Sequence, residues 1–550
     1  MQRADFQMIS TWLLRSGLLL LALLIWFSNL DYRKLIKPDE GRYAEISREM
    51  ATTGDWVTPR LNGIKYFEKP PLQYWAGAAV MERFGAHEWT ARLWTALTGA
   101  LGILLAWLAG TRLFDARTGM FAAVVLGSSL MYVAIGHLNT LDMGLTFFLF
   151  AALCAFLLAH QDIATDRANA LWMHVAWAAM GAAVLSKGLI GVVLPAATLV
   201  LYSIVQRDLM LWRRLHLITG SILFLAVCGP WFVVVSLRNP EFPWFFFVHE
   251  HFLRYTTTVH QRMEPWYYFV PLFIAGALPW LVVALDAIWR SALPEPRARF
   301  HVRRFLLIWC VFAFVFFSVS GSKLPSYILP LFPALALLTG WRLTSVSGKA
   351  LAWQVAPMAV ISGGALLALP FVRGSGDTPP DLIFHFKFWL AAAAAIGLAA
   401  TLLAMRLARG GRIGTAVVLT GFGGLIAFQL VLTGHDALSP SMSAYHIAQQ
   451  VKPHLRPGVP FYSVNGYDQT LDFYIARTVT LVQFRDELDF GLRQEPQLGI
   501  DTVSEWMRIW PQQKYALALL DKDMYTKLAA ANFPMQLVAK DARRYVIKTP

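Results

Sequence analysis

Charged residues and cysteines are scarce in this chain, and these two scarcities exclude an ordinary soluble protein and disulfide bonds in its polar segments. Only 15% of the 550 residues are charged and 57% are hydrophobic, whereas an ordinary soluble domain is about a quarter charged. There are three cysteines, and all of them lie inside apolar runs (Cys154, Cys228 and Cys310). The composition therefore excludes an ordinary soluble protein, and the polar segments hold no cysteine with which to form a disulfide.

Long apolar runs dominate the first 433 residues. They have about 18–24 residues, the length with which an α-helix crosses roughly 30 Å of hydrocarbon. The first, LLLLALLIW, follows Arg3 and Arg15 and is not followed by a small-residue cleavage site, so we interpret it as an uncleaved span. The sequence thus predicts an α-helical polytopic membrane protein with about thirteen spans. The predicted spans lie near 11–30, 92–113, 118–137, 141–160, 170–186, 188–206, 215–236, 268–289, 304–320, 325–341, 351–372, 385–405 and 413–433.

The positive charge of the chain follows the connections between these spans. The formal net charge is +14, and alternate connections are rich in arginine and lysine while the intervening ones are nearly neutral. Positively charged loops stay in the cytoplasm, so the loops 31–91 and 237–267 and the tail 434–550 are predicted to lie on the opposite, external side of the membrane. Topology explains much of the basic excess, and we predict no nucleic-acid partner.

The chain divides into a membrane domain, 1–433, and a C-terminal domain, 434–550. The C-terminal part alternates helical segments (SAYHIAQQVKPHL, TVSEWMRIW, DKDMYTKLAAA) with strand-like runs (VPFYSV, TVTLVQF, YALALL, MQLVAK, RYVIK). This pattern predicts a small soluble α/β domain. It has no glycine-rich phosphate loop, metal-ligand spacing or catalytic spacing, so we expect it to support the chemistry of the membrane domain.

The first predicted external loop contains PDEGRYAEISREM, residues 38–50. Its apolar residues Ala44, Ile46 and Met50 can form one stripe, which predicts an amphipathic helix on the outer surface of the membrane. Asp39 stands at the start of this helix, either as a cap or as a group that takes part in chemistry. The following YFEKPPLQYW places aromatic residues beside charges, either as interface anchors with a solvated ion pair or as substrate contacts.

Other charged residues lie at the predicted ends of spans. Lys187 and Lys323 fall in very short junctions, where a lysine is costly unless its head reaches water or serves a function. Asp142 lies at the start of a span, as a helix cap or a site residue. In the second loop, aromatic residues either line a lipid groove or form an interface belt. His249 and Glu68 could share a divalent ion such as zinc if further ligands are present, and metal-free histidines are the alternative.

Several of these stretches resemble a known family. DEGRYAEISREMATTGDWVTP and YFEKPPLQYW are similar to the first periplasmic loop of bacterial lipid A 4-amino-4-deoxy-L-arabinose transferases, which are GT-C membrane glycosyltransferases related to protein O-mannosyltransferases. HEHFLRY at 249–255 and SGSKLPSYILP at 320–330 are also similar to that family. The resemblance implies transfer of aminoarabinose from undecaprenyl phosphate to lipid A phosphates at the bacterial inner membrane. The added amine would offset negative surface charge and give resistance to polymyxin and other cationic peptides.

The reaction implied by this resemblance requires cations for the departing phosphate, carboxylates near the sugar and an apolar groove for the lipid. The resemblance places Asp39 and Asp142 in the catalytic site, and a phosphate acceptor favours a positioning role for Asp39 over that of a general base. Glu68 and His249 are the metal candidates, and no other cofactor is predicted. The expected partners are the lipid-linked sugar, lipid A and membrane lipids, and we expect a monomer. The predicted substrate-binding residues are Arg42, Tyr43, Tyr66, Lys69, Lys187, Arg254, Lys323 and Tyr327.

Three other functions remain open at this point. A polyprenyl-phosphate-sugar transferase with a different sugar or acceptor, such as a protein or glycan mannosyltransferase, shares the same motifs. A transporter of lipid-linked sugars would place ionisable groups near mid-membrane and often shows paired repeats, whereas the unusual charges here gather at one face and no repeat is visible. A lipid-binding sensor without turnover is the third.

Overall fold

The computed structural model describes residues 16–253, 264–295, 298–374 and 378–550, without the side chains of 251–253. Helices dominate residues 16–434. A short antiparallel hairpin, β1 (Arg60–Leu61) and β2 (Ile64–Lys65), lies among them. The helices are α1 (Ser16–Phe27), α2 (Asp39–Thr53), α3 (Leu72–Phe84), α4 (Glu88–Leu113), α5 (Ala116–Ser128), α6 (Leu130–Gly136), α7 (Leu141–His160), α8 (Asp166–Lys187), α9 (Ile190–Gln206), α10 (Leu217–Arg238), α11 (Phe269–Gly276), α12 (Leu281–Ser291), α13 (Val302–Val319), α14 (Phe332–Leu343), α15 (Gly348–Ala368), α16 (Pro380–Arg409) and α17 (Ile413–Gly434).

The prediction of a polytopic helical membrane protein is confirmed. In the described ranges, eight helices are long and apolar enough to cross a membrane, and two bent pairs, α5–α6 and α11–α12, bring the number to ten. The bends are 63° and 109°, and Pro279 lies in the second break, where it cannot continue a helix. Three shorter apolar helices, α1, α9 and α14, occupy the remaining predicted positions. Because these three are short for a bilayer, the number of spans stays a prediction.

Small residues let the helices approach closely. Gly110 of α4 faces Gly119 of α5, and a Cβ atom built on Gly110 would lie 2.8 Å from the Cα of Gly119. A Cβ atom on Gly119 would lie 2.4 Å from the carbonyl oxygen of Trp107. Close contact of this kind is the usual means by which apolar helices associate in lipid, where burial of apolar surface gives little driving force.

The C-terminal part is a mixed α/β domain, as predicted. Its six-stranded sheet has the order β5-β4-β3-β6-β8-β7, with the first four strands parallel and β8 antiparallel to both neighbours. All five predicted strand runs form strands, and β5 is the one strand of this sheet that the pattern missed. The strands are β3 (Phe461–Val464), β4 (Thr480–Val482), β5 (Gly499–Ile500), β6 (Leu517–Asp521), β7 (Gln536–Lys540) and β8 (Arg544–Lys548). The helices are α18 (Ser439–Met442), α19 (Tyr445–Val451), α20 (Leu471–Ile475), α21 (Asp489–Gln494), α22 (Val503–Ile509) and α23 (Lys522–Ala530).

The prediction that α2 lies on the membrane surface is wrong. Every residue from Glu40 to Met50 is buried, because the C-terminal domain covers the charged face of the helix. A Cβ atom on Gly41 would lie 2.7 Å from the backbone of Gln469, so only glycine permits this approach. The sequence pattern shows an apolar stripe and a charged face, but it does not show that a domain far along the chain buries the charges by pairing them.

The hairpin after α2 also binds the C-terminal domain. Asn62 donates to the carbonyl oxygen of Val479 at 2.8 Å and accepts from the N–H of Val479 at 2.7 Å. Arg60 forms a bidentate ion pair with Glu495, with nitrogen–oxygen distances of 3.0 Å. The first loop and the C-terminal domain therefore form one continuous body at this end of the helical bundle.

Candidate active site

Arg42 joins two carboxylates from opposite ends of the chain. Its Nη1 donates to Asp39 at 2.8 Å, and its Nη2 forms an ion pair with Glu487. The Asp39 side chain is 40% exposed and the Arg42 side chain 6%, so Asp39 forms the accessible edge of the group. Burial alone would lower the pKa of Arg42, but the neighbouring Tyr66, Glu487 and Asp39 raise it above its ordinary value. Arg42 is therefore a permanent cation held by two acids.

Tyrosines enclose this ion group. The rings of Tyr43 and Tyr74 lie 6.1 Å apart, and the Arg42 guanidinium lies 5.8 Å from the ring of Tyr43. Tyr66 is buried beside them. Burial, followed by the charge of Asp39, raises the pKa of Tyr43, and burial followed by the charge of Glu68 raises that of Tyr66 and Tyr74. The predicted residues Asp39, Arg42, Tyr43 and Tyr66 thus form one cluster.

A second cluster contains Asp142, Lys187 and Tyr327. Asp142 lies in the first turn of α7 and Lys187 is the last residue of α8, and their side chains form an ion pair. The Lys187 ammonium lies 4.8 Å from the centroid of the Tyr327 ring, a cation–π contact. Asp142 does not cap its helix with a side-chain hydrogen bond, because Thr140 occupies the capping position. The structure therefore pairs two of the charged residues that the sequence flagged separately.

A buried polar network connects the two clusters. Glu40, which follows Asp39, binds Arg92 through two hydrogen bonds of 2.7 and 2.8 Å and accepts from the N–H of Asn139 at 3.0 Å. Asn139, three residues before Asp142, accepts from Gln73 at 2.7 Å. Burial opposes ionisation of Glu40, but Arg92 lowers its pKa to about 2. The network fixes the start of α2 relative to the start of α7.

The second loop meets the same region. Lys69 lies 3.5 Å from Glu250 and donates to the backbone carbonyl of Glu68 at 2.7 Å. Phe67 packs in one apolar cluster with Val184 and Leu185, just before Lys187 in α8. The first loop, the ends of α7 and α8 and the second loop therefore converge at one end of the bundle.

Three aromatic residues of the second loop belong to a buried apolar cluster that reaches the C-terminal domain. Phe242, Phe245 and Phe246 are buried, and the ring of Phe245 stacks on Phe490 of the C-terminal domain with a centroid distance of 3.9 Å. Because these three side chains are buried inside the protein, they neither line a lipid groove nor form a membrane-interface belt, the two alternatives that the sequence suggested.

The remaining predicted site residues have other surroundings. The Lys323 ammonium donates to the backbone carbonyls of Ser320 and Glu264 at 2.7 and 2.8 Å, so it holds an irregular junction together in this structure. Arg254 lies outside the described residues. Phosphate binding by either residue stays a prediction.

The metal hypothesis also stays a prediction. His249 lies 3.3 Å from Glu250, and no group of three or more histidine, cysteine, aspartate or glutamate side chains suited to a metal ion occurs in the described ranges. A zinc site normally has four ligands, at least three of them from the protein, so Glu68 and His249 alone do not fit it. Metal analysis of the purified protein and of its Glu68→Ala variant tests this hypothesis, since an unchanged metal content in the variant would exclude Glu68 as a ligand.

An apolar cavity of ≈ 160 Å³ lies away from these charged clusters. Leu153 and Phe156 of α7 line it, about 15–20 Å along the helix from Asp142. It is lined by apolar residues from α7, α8, α9 and α13, together with residues around the start of α10, and offers no acid, base or cation for transfer chemistry. We therefore place the chemistry at the Arg42 cluster and the Asp142–Lys187 cluster and not at this cavity.

Three buried carboxyl groups meet where α2 packs against the C-terminal domain. Glu45 and Glu49 belong to α2 and Asp472 to α20. Arg48 donates to both oxygens of Glu45 at 2.6 and 2.7 Å, and Tyr467 donates to Asp472 at 2.9 Å. Burial raises the pKa of Glu45 and Asp472, and it raises that of Glu49 to about 8. One arginine cannot balance three ionised carboxylates here, so the interface retains protons at neutral pH.

We expect the thermal stability of the protein to fall as the pH rises from about 7 to about 9. A pKa above the ordinary 4.5 means that the folded protein binds more protons than the unfolded chain, so its free energy of unfolding decreases until Glu49, at about 8, has ionised. The pKa of His446 in α19 is lowered by burial from its ordinary value of 6.5, so this histidine titrates below this range. Unfolding midpoints across the range measure the effect.

Glu49→Gln is the matched variant for this measurement. The glutamine oxygen can still accept from the N–H of Gly63, which donates to Glu49 at 2.9 Å, but it carries no charge. Its midpoint should therefore depend less steeply on pH. An equally steep decline in the variant would assign the pH dependence to other groups.

Glu487 and Tyr74 belong to the site region, but the sequence did not single them out. Glu487 lies 445 positions from Arg42 in a segment without catalytic spacing. Tyr74 lies in the same YFEKPPLQYW stretch as Tyr66, and this position was the one feature of the sequence that could have identified it as a site residue. A tyrosine in such a stretch is otherwise typical of an interface anchor.

Comparison with known proteins agrees with this arrangement. The model of the family described as dolichyl-phosphate-mannose-protein mannosyltransferase matches residues 11–285, and that of the aminoarabinose transferase C-terminal domain matches residues 447–549. An undecaprenyl phosphate-alpha-4-amino-4-deoxy-L-arabinose arabinosyl transferase from Erwinia tasmaniensis is 33% identical over 338 residues, which cover 60% of this chain and 59% of the relative. That match thus spans less than two thirds of the relative's length.

Other matches extend over nearly the whole chain. A relative from Pseudomonas fluorescens, undecaprenyl phosphate-alpha-4-amino-4-deoxy-L-arabinose arabinosyl transferase 1, is 31% identical over 541 residues, 92% of each chain. The crystal structure of ArnT from Cupriavidus metallidurans bound to undecaprenyl phosphate has 40% identity and a TM-score of 0.93 over 98% of both chains. The chain therefore belongs to the family of undecaprenyl phosphate-alpha-4-amino-4-deoxy-L-arabinose arabinosyl transferases and is a membrane glycosyltransferase.

Proposed function

We propose that this protein transfers 4-amino-4-deoxy-L-arabinose from undecaprenyl phosphate to phosphate groups of lipid A at the periplasmic face of the bacterial inner membrane. The observation that supports this most is the match over 98% of the chain to a transferase solved with undecaprenyl phosphate. The distribution of arginine and lysine supports the orientation, because the basic connections lie opposite the C-terminal domain. The relatives' names supply the sugar, and resemblance to the family supplies the acceptor.

The reaction exchanges one phosphate for another at the sugar. An oxygen of a lipid A phosphate attacks the anomeric carbon, the bond from that carbon to the undecaprenyl phosphate oxygen breaks, and undecaprenyl phosphate leaves with the electron pair. Positive charge develops on the sugar ring and negative charge on the leaving phosphate. Because the acceptor is already an anion, the step requires no general base.

The Asp142–Lys187 pair suits the leaving phosphate. Lys187 is a cation at the end of an apolar helix, and the side chain of Asp142 together with the ring of Tyr327 fixes its position. A fixed donor in a water-poor site stabilises developing negative charge more strongly than a mobile one in water. Asp39, beside Arg42 at the accessible edge of the other cluster, then positions the sugar or pairs with its amine.

Mass spectrometry of lipid A tests the function. Bacteria lacking their own transferase and supplied with this chain should gain aminoarabinose on lipid A and tolerate polymyxin at higher concentrations, since the amine offsets phosphate charge. A full-length Asp39→Asn variant serves as the matched control for activity.

Unmodified lipid A in cells that make the folded protein and the donor lipid would contradict the proposal. The match to the mannosyltransferase family would then favour a protein or glycan acceptor. Analysis of glycosylated periplasmic proteins from the same cells distinguishes this alternative.

A further inference from the structure

Two tyrosine hydroxyls beside Arg42 are buried without a hydrogen-bond partner. Tyr66 is 2% exposed and Tyr74 fully buried, and the Oη atom of each has no partner among the described residues. The Nε atom of Arg42 lacks one as well. Buried polar atoms nearly always have a partner, because an unpaired one loses its water without compensation. Three such atoms in one cluster indicate a place where a polar ligand completes the hydrogen bonding.

Tyr66 and Tyr74 are the two tyrosines of the described residues whose hydroxyl is buried and unpaired. Tyr132, fully buried in the membrane domain, donates to the carbonyl oxygen of Gly99 at 2.9 Å. Tyr515 donates to the carbonyl oxygen of His454 at 2.9 Å. The unpaired state of Tyr66 and Tyr74 is thus a feature of this cluster.

The charges around the two hydroxyls select the kind of ligand. Arg42 is the cation of the cluster, and Asp39 and Glu487 already pair with it. Glu68 lies close enough to raise the pKa of both tyrosines after burial itself, so both hydroxyls keep their protons and act as donors. Lys69 lies next to Glu68 as a second cation. The three carboxylates Asp39, Glu487 and Glu68 still outnumber the two cations, which disfavours a phosphate and favours a neutral hydroxyl or a cationic amine.

We propose that Tyr74, together with Tyr66, binds the sugar of the lipid-linked donor by donating hydrogen bonds to its hydroxyl oxygens. This assignment rests on the proposed function, which supplies an aminopentose with hydroxyl groups and a cationic amine. The hydroxyl groups satisfy the tyrosines, and the amine satisfies the excess of carboxylates. The departing phosphate lies with Lys187 in the second cluster.

Sugar entry must separate side chains, because neither hydroxyl is accessible to solvent. Asp39 is the most exposed member of its ion group with Arg42 and Glu487, at 40%, and its contact with Arg42 closes the accessible edge. The cost of leaving the hydroxyls unpaired is present in the closed state and is relieved when the sugar binds. The tyrosines therefore favour the sugar-bearing donor over bare undecaprenyl phosphate.

The test compares Tyr74→Phe and Tyr66→Phe in the full-length protein with Tyr132→Phe as the matched control. The readouts are the KM for the donor, the affinity for undecaprenyl phosphate alone and the midpoint of thermal unfolding. Each site variant should raise KM by about tenfold, since one hydrogen bond to the ligand is lost. Its affinity for undecaprenyl phosphate should not change, and its midpoint should stay or rise, because an unpaired hydroxyl is removed. Tyr132→Phe should lower the midpoint and leave KM unchanged.

An unchanged KM in Tyr74→Phe would overturn the assignment. So would a parallel loss of undecaprenyl phosphate affinity and thermal midpoint, because that pattern indicates a structural role. Absence of aminoarabinose transfer by the wild-type protein would instead overturn the proposed function and, with it, the identity of the sugar.

Discussion

Replacement of Glu40 by glutamine should destabilise the protein by about 3–5 kcal/mol, because it leaves a buried arginine without its counter-ion. Arg92 is 0% exposed, and the Glu40 carboxylate is the acidic group that accepts hydrogen bonds from it, at 2.7 and 2.8 Å. Arg33 is also buried nearby, and burial together with Arg92 lowers its pKa to about 9. Without Glu40, two guanidinium groups would lie in a water-poor region with less negative charge.

The measurement is the midpoint of thermal unfolding in detergent. Asp166→Asn is the control, because Asp166 pairs with Arg214 at 3.5 Å on the protein surface and is fully exposed. This variant should leave the midpoint unchanged, since surface pairs contribute little. Equal midpoints for Glu40→Gln and the wild type would show that the Arg92 charge is solvated or neutralised by another route.

Lys187→Met should lower the rate of sugar transfer by about 100- to 1000-fold, the usual effect of removing one fixed donor from a developing anion. Asp142→Asn should lower it to a similar degree by releasing Lys187. The double variant should transfer no more slowly than either single one, because residues that act as a unit are not additive. A transfer assay with purified protein measures all three.

Stability separates a catalytic from a structural role for this pair. Lys187→Met leaves the buried Asp142 unpaired and Asp142→Asn leaves the half-buried Lys187 unpaired, so each should lower the unfolding midpoint. The double variant removes both charges and should regain much of it. Activity should not return with stability. Lys349→Met, at the exposed start of α15, is the control and should leave both properties unchanged. Recovery of activity in the double variant would make Asp142–Lys187 a structural pair.

The sequence predicted most of the membrane domain because lipid imposes a simple rule on its helices. A run of apolar residues long enough for the bilayer has few alternatives to a helix. Eight of the predicted spans coincide with a long helix, two with a bent pair of helices and three with a shorter helix. The α/β domain was predictable for a related reason, since its strands are short apolar runs between polar turns. The prediction for α2 failed because it rested on an amphipathic stripe, which does not show that a partner domain buries the charged face.

The candidate site was predictable in part. Asp142 and Lys187 stood out because a charge at the end of an apolar span is costly, but their pairing depends on how α7 and α8 pack. Glu487 could not be predicted as a site residue, because a glutamate in a soluble domain is ordinary unless its partner is known. The unpaired hydroxyl of Tyr74 could not be predicted either, since only the folded structure shows that it has no hydrogen-bond partner.

The Arg42–Glu487 contact has a consequence for biosynthesis. The two residues lie 445 positions apart, so at about 5–20 residues per second the ribosome adds Glu487 roughly 20–90 s after Arg42. Until then the growing chain exposes the charged face of α2 without its cover. A nascent or prematurely terminated chain therefore carries an incomplete Arg42 cluster, and we expect enzymatic activity only after the C-terminal domain has docked.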